Sequence, residues 1–175
     1  STEQLWDDLL TQGMTIYGVG SADAHHFAQW NPGKSNPGRG WVMVRAKELT
    51  SDAITDAMTR GDFYASSGVM LKKVVRGPKR IEIEVDEAAT DKELASSILI
   101  GRKVKTGKPG YLIEFIGPKG KVIQTSLETK ASCLVNLPYL RCKVTRRVRQ
   151  MDGALLEYYA WTQPVFTDGR DKAAK

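Results

Sequence analysis

One aspartate and two histidines stand close together near the N-terminal end of the sequence. Asp23, His25 and His26 lie within residues 20–26, and the chain of 175 residues contains no other histidine. If the backbone is extended here, Asp23 and His25 project to the same side and His26 to the other. A carboxylate beside an imidazole can bind a divalent cation such as zinc, manganese or iron. Asp23 and His25 are therefore candidate metal ligands.

The Asp-x-His pattern also has an ordinary structural explanation. Aspartate and histidine at this spacing often cap a turn or form hydrogen bonds within a loop. Two protein ligands are also too few, because a catalytic zinc site usually has three or more. We therefore expect that this chain cannot complete a metal site by itself. Other ligands would have to come from elsewhere.

The residues around this pair show alternating helix and strand patterns. A helix is predicted before Gly13, and the apolar run at residues 14–19 predicts a strand that is buried on both faces. Residues 41–44 and 63–65 predict two more such strands, with a helix between them. Helices that alternate with doubly buried strands predict an α/β architecture with parallel strands.

From residue 69 onward the pattern changes to short strands separated by turns. Residues 81–85 alternate apolar and charged side chains, and residues 111–116 precede a Gly-Pro-Lys-Gly turn, as in a hairpin. Residues 86–97 are compatible with a short helix or a loop. Several short strands at regular spacing predict an antiparallel β-sandwich-like domain.

Three segments follow from these patterns. Residues 1–68 are the α/β segment, residues 69–167 the β-sandwich-like domain, and residues 168–175 a polar tail that we expect to be disordered.

Residues 17–26, Tyr-Gly-Val-Gly-Ser-Ala-Asp-Ala-His-His, resemble the last metal motif of the polymerase-and-histidinol-phosphatase (PHP) family of metal-dependent hydrolases. Residues 40–46 and 49–68 resemble the elements that finish the barrel of that family. The resemblance is closest to the carbaryl-hydrolase-like branch, which carries the double histidine and often an appended β-domain. It implies that the α/β segment is the incomplete C-terminal part of a (β/α) barrel.

The same resemblance implies a function. Asp23 and His25 match the metal-binding pair of an enzyme that hydrolyses a small phosphoester, or a carbamate or carboxylic ester. His26, Arg39 and Tyr64 are candidates for contacting the ligands or the substrate, although a loop hydrogen bond for His26 and simple packing for Tyr64 are equally open. The N-terminal His-x-His motif and the middle ligands of the family have no counterpart here, so we expect this chain alone to be inactive.

The partners that follow are the substrate, and the remainder of the barrel or a second copy of the chain. The alternative function is a non-catalytic module, in which the β-sandwich binds another molecule and the α/β segment is scaffold.

The formal charge of +6 raises the question of an anionic partner. Five basic residues alternate with apolar ones in residues 140–149, which predicts the solvated face of a strand or, less favoured, a phosphate-binding or nucleic-acid surface. No apolar run approaches the roughly 20 residues that span a membrane. No signal peptide is visible, so we expect a soluble protein of the bacterial cytoplasm, or an exported one if a leader lies upstream.

The two cysteines, Cys133 and Cys142, form no Cys-x-x-C motif. A hairpin turning at residues 137–138 would place them opposite each other and permit a disulfide, and a pair of small buried thiols is the alternative.

Overall fold

The computed structural model describes residues 1–95 and 99–170. The elements within these residues are three α-helices, eleven strands and a short 3-10 turn. In chain order they are α1 (Thr2–Thr11), β1 (Trp41–Val44), α2 (Ser51–Thr59), β2 (Phe63–Ser66), β3 (Leu71–Gly77), β4 (Arg80–Val85), α3 (Glu87–Leu94), β5 (Arg102–Val104), β6 (Gly110–Ile116), the 3-10 turn (Pro118–Gly120), β7 (Val122–Ser126), β8 (Lys130–Leu134), β9 (Tyr139–Arg149), β10 (Leu155–Thr162) and β11 (Val165–Phe166).

The three helices begin at side chains that cap their free N–H groups. Ser1 caps α1, Thr50 caps α2 and Asp86 caps α3, in each case by accepting a hydrogen bond from the backbone N–H three residues later. The helix predicted before Gly13 and the helix between residues 44 and 63 are therefore present. Within residues 86–97, the open choice between helix and loop resolves to α3, and residues 96–98 lie outside the described part of the chain.

The larger sheet has the strand order β1-β2-β10-β9-β6-β7, with β5 paired to β10 and β11 paired to β9. All of these pairs are antiparallel, so the predicted parallel arrangement of residues 41–44 and 63–65 is wrong. The physical reason is that Val44 lies opposite Phe63, and Arg45 N–H donates to the Asp62 carbonyl at 2.8 Å. The helix α2 thus lies in the connection between two antiparallel neighbours, β1 and β2, and does not connect two parallel strands.

Residues 14–19 were predicted as a buried strand but belong to neither sheet. They run as a chain without regular secondary structure beside the end of the larger sheet. Ile16 and Tyr17 of this run pack in a small core with Leu10, Tyr139 and Phe166, whereas Met14 and Val19 are exposed.

No closed barrel forms among the described residues, because β1 and β7 are the two ends of an open sheet. Instead β2 pairs with β10, so the segments predicted as residues 1–68 and 69–167 meet in one sheet.

A second sheet of three antiparallel strands, β3-β4-β8, packs against the larger sheet. The core between them takes Ile81 and Ile83 from the small sheet and Ile113, Phe115 and Val144 from the large one, all of them fully buried. This packing of two sheets agrees with the sandwich-like arrangement that the strand spacing predicts.

Cys133 lies on β8 and Cys142 on β9, and these strands belong to different sheets. The hairpin that would have placed the two cysteines opposite each other is therefore absent. Both are free, buried thiols, and burial raises the pKa of each.

The basic run on β9 is not the solvated face that its sequence predicted. The Arg141 side chain is only 1% exposed and forms a bidentate ion pair with Asp7 of α1, with nitrogen–oxygen distances of 2.8 and 2.6 Å. The guanidinium also lies over the Trp6 ring, 4.8 Å from its centroid. Further along, Lys143 pairs with Glu3 at 2.7 Å. Two of the five basic residues of β9 thus pair with acidic residues of α1.

Arg147 of β9 also has an acidic partner, Glu157 of β10, at 2.7 Å. Burial of the Glu157 carboxyl opposes its ionisation, but hydrogen bonds from Tyr159 and Arg147 outweigh that effect and lower its pKa. Burial of the Tyr159 hydroxyl, together with its hydrogen bond to Glu157, raises the pKa of Tyr159 to about 12.

Residues 171–175 of the predicted polar tail lie outside the described residues. Arg170, in the part that is described, donates to the carbonyl groups of Leu10 and Met14 at 3.1 and 3.2 Å. None of the helices seen in residues 1–95 and 99–170 is long and apolar enough to span a membrane.

Replacing Asp7 with alanine would leave the buried Arg141 guanidinium with only the more distant Glu3 carboxylate, 3.8 Å away, as a counter-charge. We expect Asp7→Ala to lower the free energy of unfolding by about 3–5 kcal/mol, the usual cost of removing one partner of a buried ion pair. Urea denaturation measures this loss. The double variant Asp7→Leu with Arg141→Met removes both charges and should be more stable than Asp7→Ala. A loss under about 1 kcal/mol in Asp7→Ala would rank the pair with ordinary surface ion pairs and contradict this account.

Candidate metal site

Side chains hold the segment that leads to Asp23 and His25. Trp6 of α1 donates its indole N–H to the Ile16 carbonyl at 3.1 Å. Gln163, which is fully buried directly after β10, makes two hydrogen bonds with Gly18: its Nε2 donates to the Gly18 carbonyl at 2.7 Å, and its Oε1 accepts from the Gly18 N–H at 2.8 Å. The Gln163 amide therefore takes the place of a neighbouring strand's backbone.

Two glycines allow this segment to pass close to the start of β1. A Cβ at Gly20 would lie 3.0 Å from the Trp41 carbonyl oxygen, and a Cβ at Gly40 would lie 2.9 Å from the Ser21 carbonyl oxygen. Neither contact leaves room for a side chain. The two glycines thus allow the backbone at residues 20–21 to lie directly against the backbone at residues 40–41.

Asp23 and His25 lie side by side on a solvent-facing turn. Asp23 has the left-handed φ of +46°, which is uncommon outside glycine, and its N–H donates to Ser21 Oγ at 3.2 Å. The Asp23 carboxylate oxygen Oδ1 is 3.9 Å from His25 Nδ1, and the two side chains are 90% and 66% exposed. Both can therefore reach a ligand from solvent.

The His25 ring is oriented by a backbone contact. Its Nδ1 lies 2.7 Å from the carbonyl oxygen of Asp23. A carbonyl oxygen can only accept, so in the neutral imidazole Nδ1 carries the hydrogen and Nε2 carries the lone pair. This is the arrangement by which proteins commonly prepare a histidine to bind a metal through Nε2.

The pair fits part of a cation site but not a whole one. A carboxylate and a correctly oriented imidazole are suitable donors for zinc, manganese or iron. In the part of the chain that the structure describes, however, no cluster of three or more histidine, cysteine, aspartate or glutamate side chains is found.

His26 and Arg39 lie in the same loop and bind its backbone. The carbonyl of His26 accepts from Asn36, and its buried Nδ1 has no hydrogen-bond partner among the described residues. Arg39 donates to the carbonyls of Lys34 and Asn31 and to the Asn36 side chain. The hydrogen bonds of the His26 carbonyl and of the Arg39 guanidinium thus hold the loop that follows Asp23 and His25.

Tyr64 lies in the core between the two sheets, where its hydroxyl accepts a hydrogen bond from the Leu71 N–H at 3.1 Å. Burial raises the pKa of this tyrosine because it disfavours the phenolate. Within the described residues no hydrogen bond joins it to Asp23 or His25, so packing is the role that its contacts support.

An apolar groove of about 500 Å³ opens beside this segment. Leu5 and Val19 both line it and are 58% and 65% exposed although both are aliphatic. Ser21, two residues before Asp23, and Arg39, in the loop that follows, also line the groove. Its walls are formed chiefly by α1, by residues 16–21 and by the end of the larger sheet.

Sequence reasoning missed two residues that shape this region, Gln163 and Asn36. Gln163 gives no local signal, because its partner Gly18 is 145 positions away. Asn36 stands before Pro37 in a loop with a second Asn-Pro pair, and such dipeptides are turn signals. The dipeptide could have singled out Asn36 as a turn residue.

The sequence matches no protein-family model. It also has no significant match to a curated protein or to a solved structure.

Removing the Gln163 amide should leave the backbone N–H and C=O groups of Gly18 without partners. We expect Gln163→Leu to lower the free energy of unfolding by about 1–3 kcal/mol, the cost of unsatisfied buried polar groups, and to speed hydrogen exchange at the Gly18 amide. Gln124→Leu is a matched control, because Gln124 is exposed and donates to the Ser132 carbonyl; its effect should stay within about 0.5 kcal/mol. Equal, small losses in both variants would show that Gln163 does not hold the segment.

Proposed function

We propose that this chain contributes Asp23 and His25 to the metal centre of a PHP-type hydrolase, in the carbaryl-hydrolase-like branch, and that the other ligands come from residues outside this sequence. The reaction class is hydrolysis of a small phosphoester, or of a carbamate or carboxylic ester. The observation that carries the proposal is the contact between His25 Nδ1 and the Asp23 carbonyl, which leaves the Nε2 lone pair free, while the exposed Asp23 carboxylate lies 3.9 Å from Nδ1 of the same ring.

The chemistry of the two side chains is complementary. When bound at such a site, a divalent cation lowers the pKa of a coordinated water from about 15.7 towards 7 and polarises the scissile group. Asp23 supplies an anionic oxygen, and His25 supplies a neutral nitrogen. The Asp23 carbonyl holds the hydrogen on His25 Nδ1 and so keeps Nε2 free to bind.

The apolar groove supports the second half of the proposal. A solvated protein surface rarely keeps large aliphatic side chains such as Leu5 and Val19 together and open, unless another molecule covers them. We place the part of the hydrolase that supplies the other ligands on this groove, since residues 16–21, which lead to the candidate ligands, line it. Ligands from that part would then meet Asp23 and His25.

The second candidate function is a non-catalytic binding module. Its support is that two packed sheets dominate the described residues and that only two suitable donors stand together. A metal titration separates the two functions, because only the hydrolase requires Asp23 and His25 to act as a pair.

We expect zinc to bind this chain weakly, because Asp23 and His25 are two of the three or more protein ligands that a zinc site usually has, and Asp23→Ala and His25→Ala each to weaken that binding by at least about tenfold. Isothermal titration calorimetry with zinc or manganese measures the affinities. Asp8→Ala is the matched carboxylate control, because Asp8 is an exposed residue of α1 bonded to Gln4, and it should leave the affinity unchanged.

Zinc affinity that is the same in all three variants would remove the metal-site assignment and leave the binding-module function as the better one.

A further inference from the structure

The loop that follows the candidate ligands is folded back on itself. The backbone N–H groups of His25 and His26 both donate to the carbonyl of Ser35, at 2.9 and 3.0 Å. The loop is largely exposed, and Phe27 and Trp30 within it are 68% and 52% exposed. An apolar core therefore does not hold this loop, and its shape depends on polar contacts.

Asn36 makes those contacts. It is fully buried, and its Nδ2 donates to the carbonyls of His26 at 2.8 Å and Gln29 at 2.9 Å. Its Oδ1 accepts from the Asn31 N–H at 3.3 Å and from Arg39 Nη2 at 2.8 Å. Both donor hydrogens and both acceptor sites of the carboxamide are thus used, which only asparagine can do in a space of this size.

We propose that Asn36 is the positioning residue of the Asp23–His25 pair. This inference rests on the proposed metal-binding function and adds the residue that sets the backbone on which the ligands stand. Asn36 holds the His26 carbonyl, while the neighbouring Ser35 carbonyl holds the amides of His25 and His26. The backbone at His25 is therefore fixed on its C-terminal side before any cation binds.

Arg39 supports the carboxamide from the other side. Its guanidinium donates to Asn36 Oδ1 and to the carbonyls of Lys34 and Asn31, so it closes the loop around Asn36. A fully satisfied buried polar group of this kind is rigid, because every displacement breaks a hydrogen bond in a poorly solvated place. That rigidity suits a site where ligands must keep a fixed geometry.

The test compares zinc affinity with backbone protection in the complete chain. Asn36→Asp keeps the shape but replaces both donors with an anionic oxygen facing the His26 and Gln29 carbonyls; Asn36→Ala removes all four bonds. We expect both variants to weaken zinc binding by about 10–100-fold, as loss of a residue that orients metal ligands does, and to speed hydrogen exchange at the His25 and His26 amides.

Asn31→Ala is the matched control, because the Asn31 side chain accepts from the Gly33 N–H in the same loop and does not touch either histidine. It should keep the zinc affinity even where its melting temperature falls as far as that of Asn36→Ala. A merely structural role for Asn36 would instead make affinity follow melting temperature in all three variants, and that result would overturn the proposal.

The outcomes also separate this inference from the proposed function. Zinc binding that does not depend on His25 removes the metal site itself. The amides of His25 and His26 then still report on positioning, and unchanged exchange in Asn36→Asp would show that Asn36 does not fix them. Zinc binding that depends on His25 but is unaltered in both Asn36 variants leaves the metal site in place and overturns the positioning role alone.

Discussion

The buried ion pair between Asp7 and Arg141 joins the N-terminal helix to the larger sheet. Arg141 is 1% exposed at its side chain, so its charge has almost no help from solvent, and the two hydrogen bonds to Asp7, with Glu3 3.8 Å away, replace part of the lost hydration. Trp6 lies against the guanidinium, and the Tyr139 hydroxyl donates to the Asp7 carbonyl at 3.3 Å. The side chains of α1 are absent from the main core among the described residues. The Asp7–Arg141 ion pair is therefore a principal contact that fixes the position of the helix.

The position of α1 also determines where the candidate ligands lie, because residues 12–22 connect them to the helix. Trp6 holds Ile16, and Gln163 holds Gly18, so the segment is fixed from the helix on one side and from the sheet on the other. The turn that ends at Asp23 then begins from a defined point. The candidate ligands thus lie on a short exposed segment whose approach is held by Trp6 and Gln163 and whose exit is held by Asn36. This combination of rigid supports and accessible side chains is what a metal-binding or catalytic group needs.

The sequence predicted the elements better than their arrangement. The two helices predicted in residues 1–68, α1 and α2, are both present, because the signals that favour a helix lie within its own residues. The strand pairing depends on where a chain returns, and nothing local distinguished a hairpin with an inserted helix from a parallel crossover. The basic run on β9 was misinterpreted because Asp7 and Glu3, the acidic partners of Arg141 and Lys143, lie more than 130 positions away. For the site, the spacing of Asp23 and His25 predicted that their side chains would be neighbours, and they are. It predicted neither the left-handed Asp23 nor the buried amides of Gln163 and Asn36.

We propose that the contact of its Nδ1 with the Asp23 carbonyl prepares His25 to bind a cation through Nε2 before any cation is present. A neutral imidazole that is not held exchanges between its two tautomers. Long-range ¹H–¹⁵N NMR correlations of the metal-free chain distinguish them directly, with His26→Ala used to assign the signals. The account predicts that His25 carries its hydrogen on Nδ1 and that zinc shifts the Nε2 resonance. A hydrogen on Nε2 in the neutral ring, together with no zinc-induced shift at that nitrogen, would contradict it.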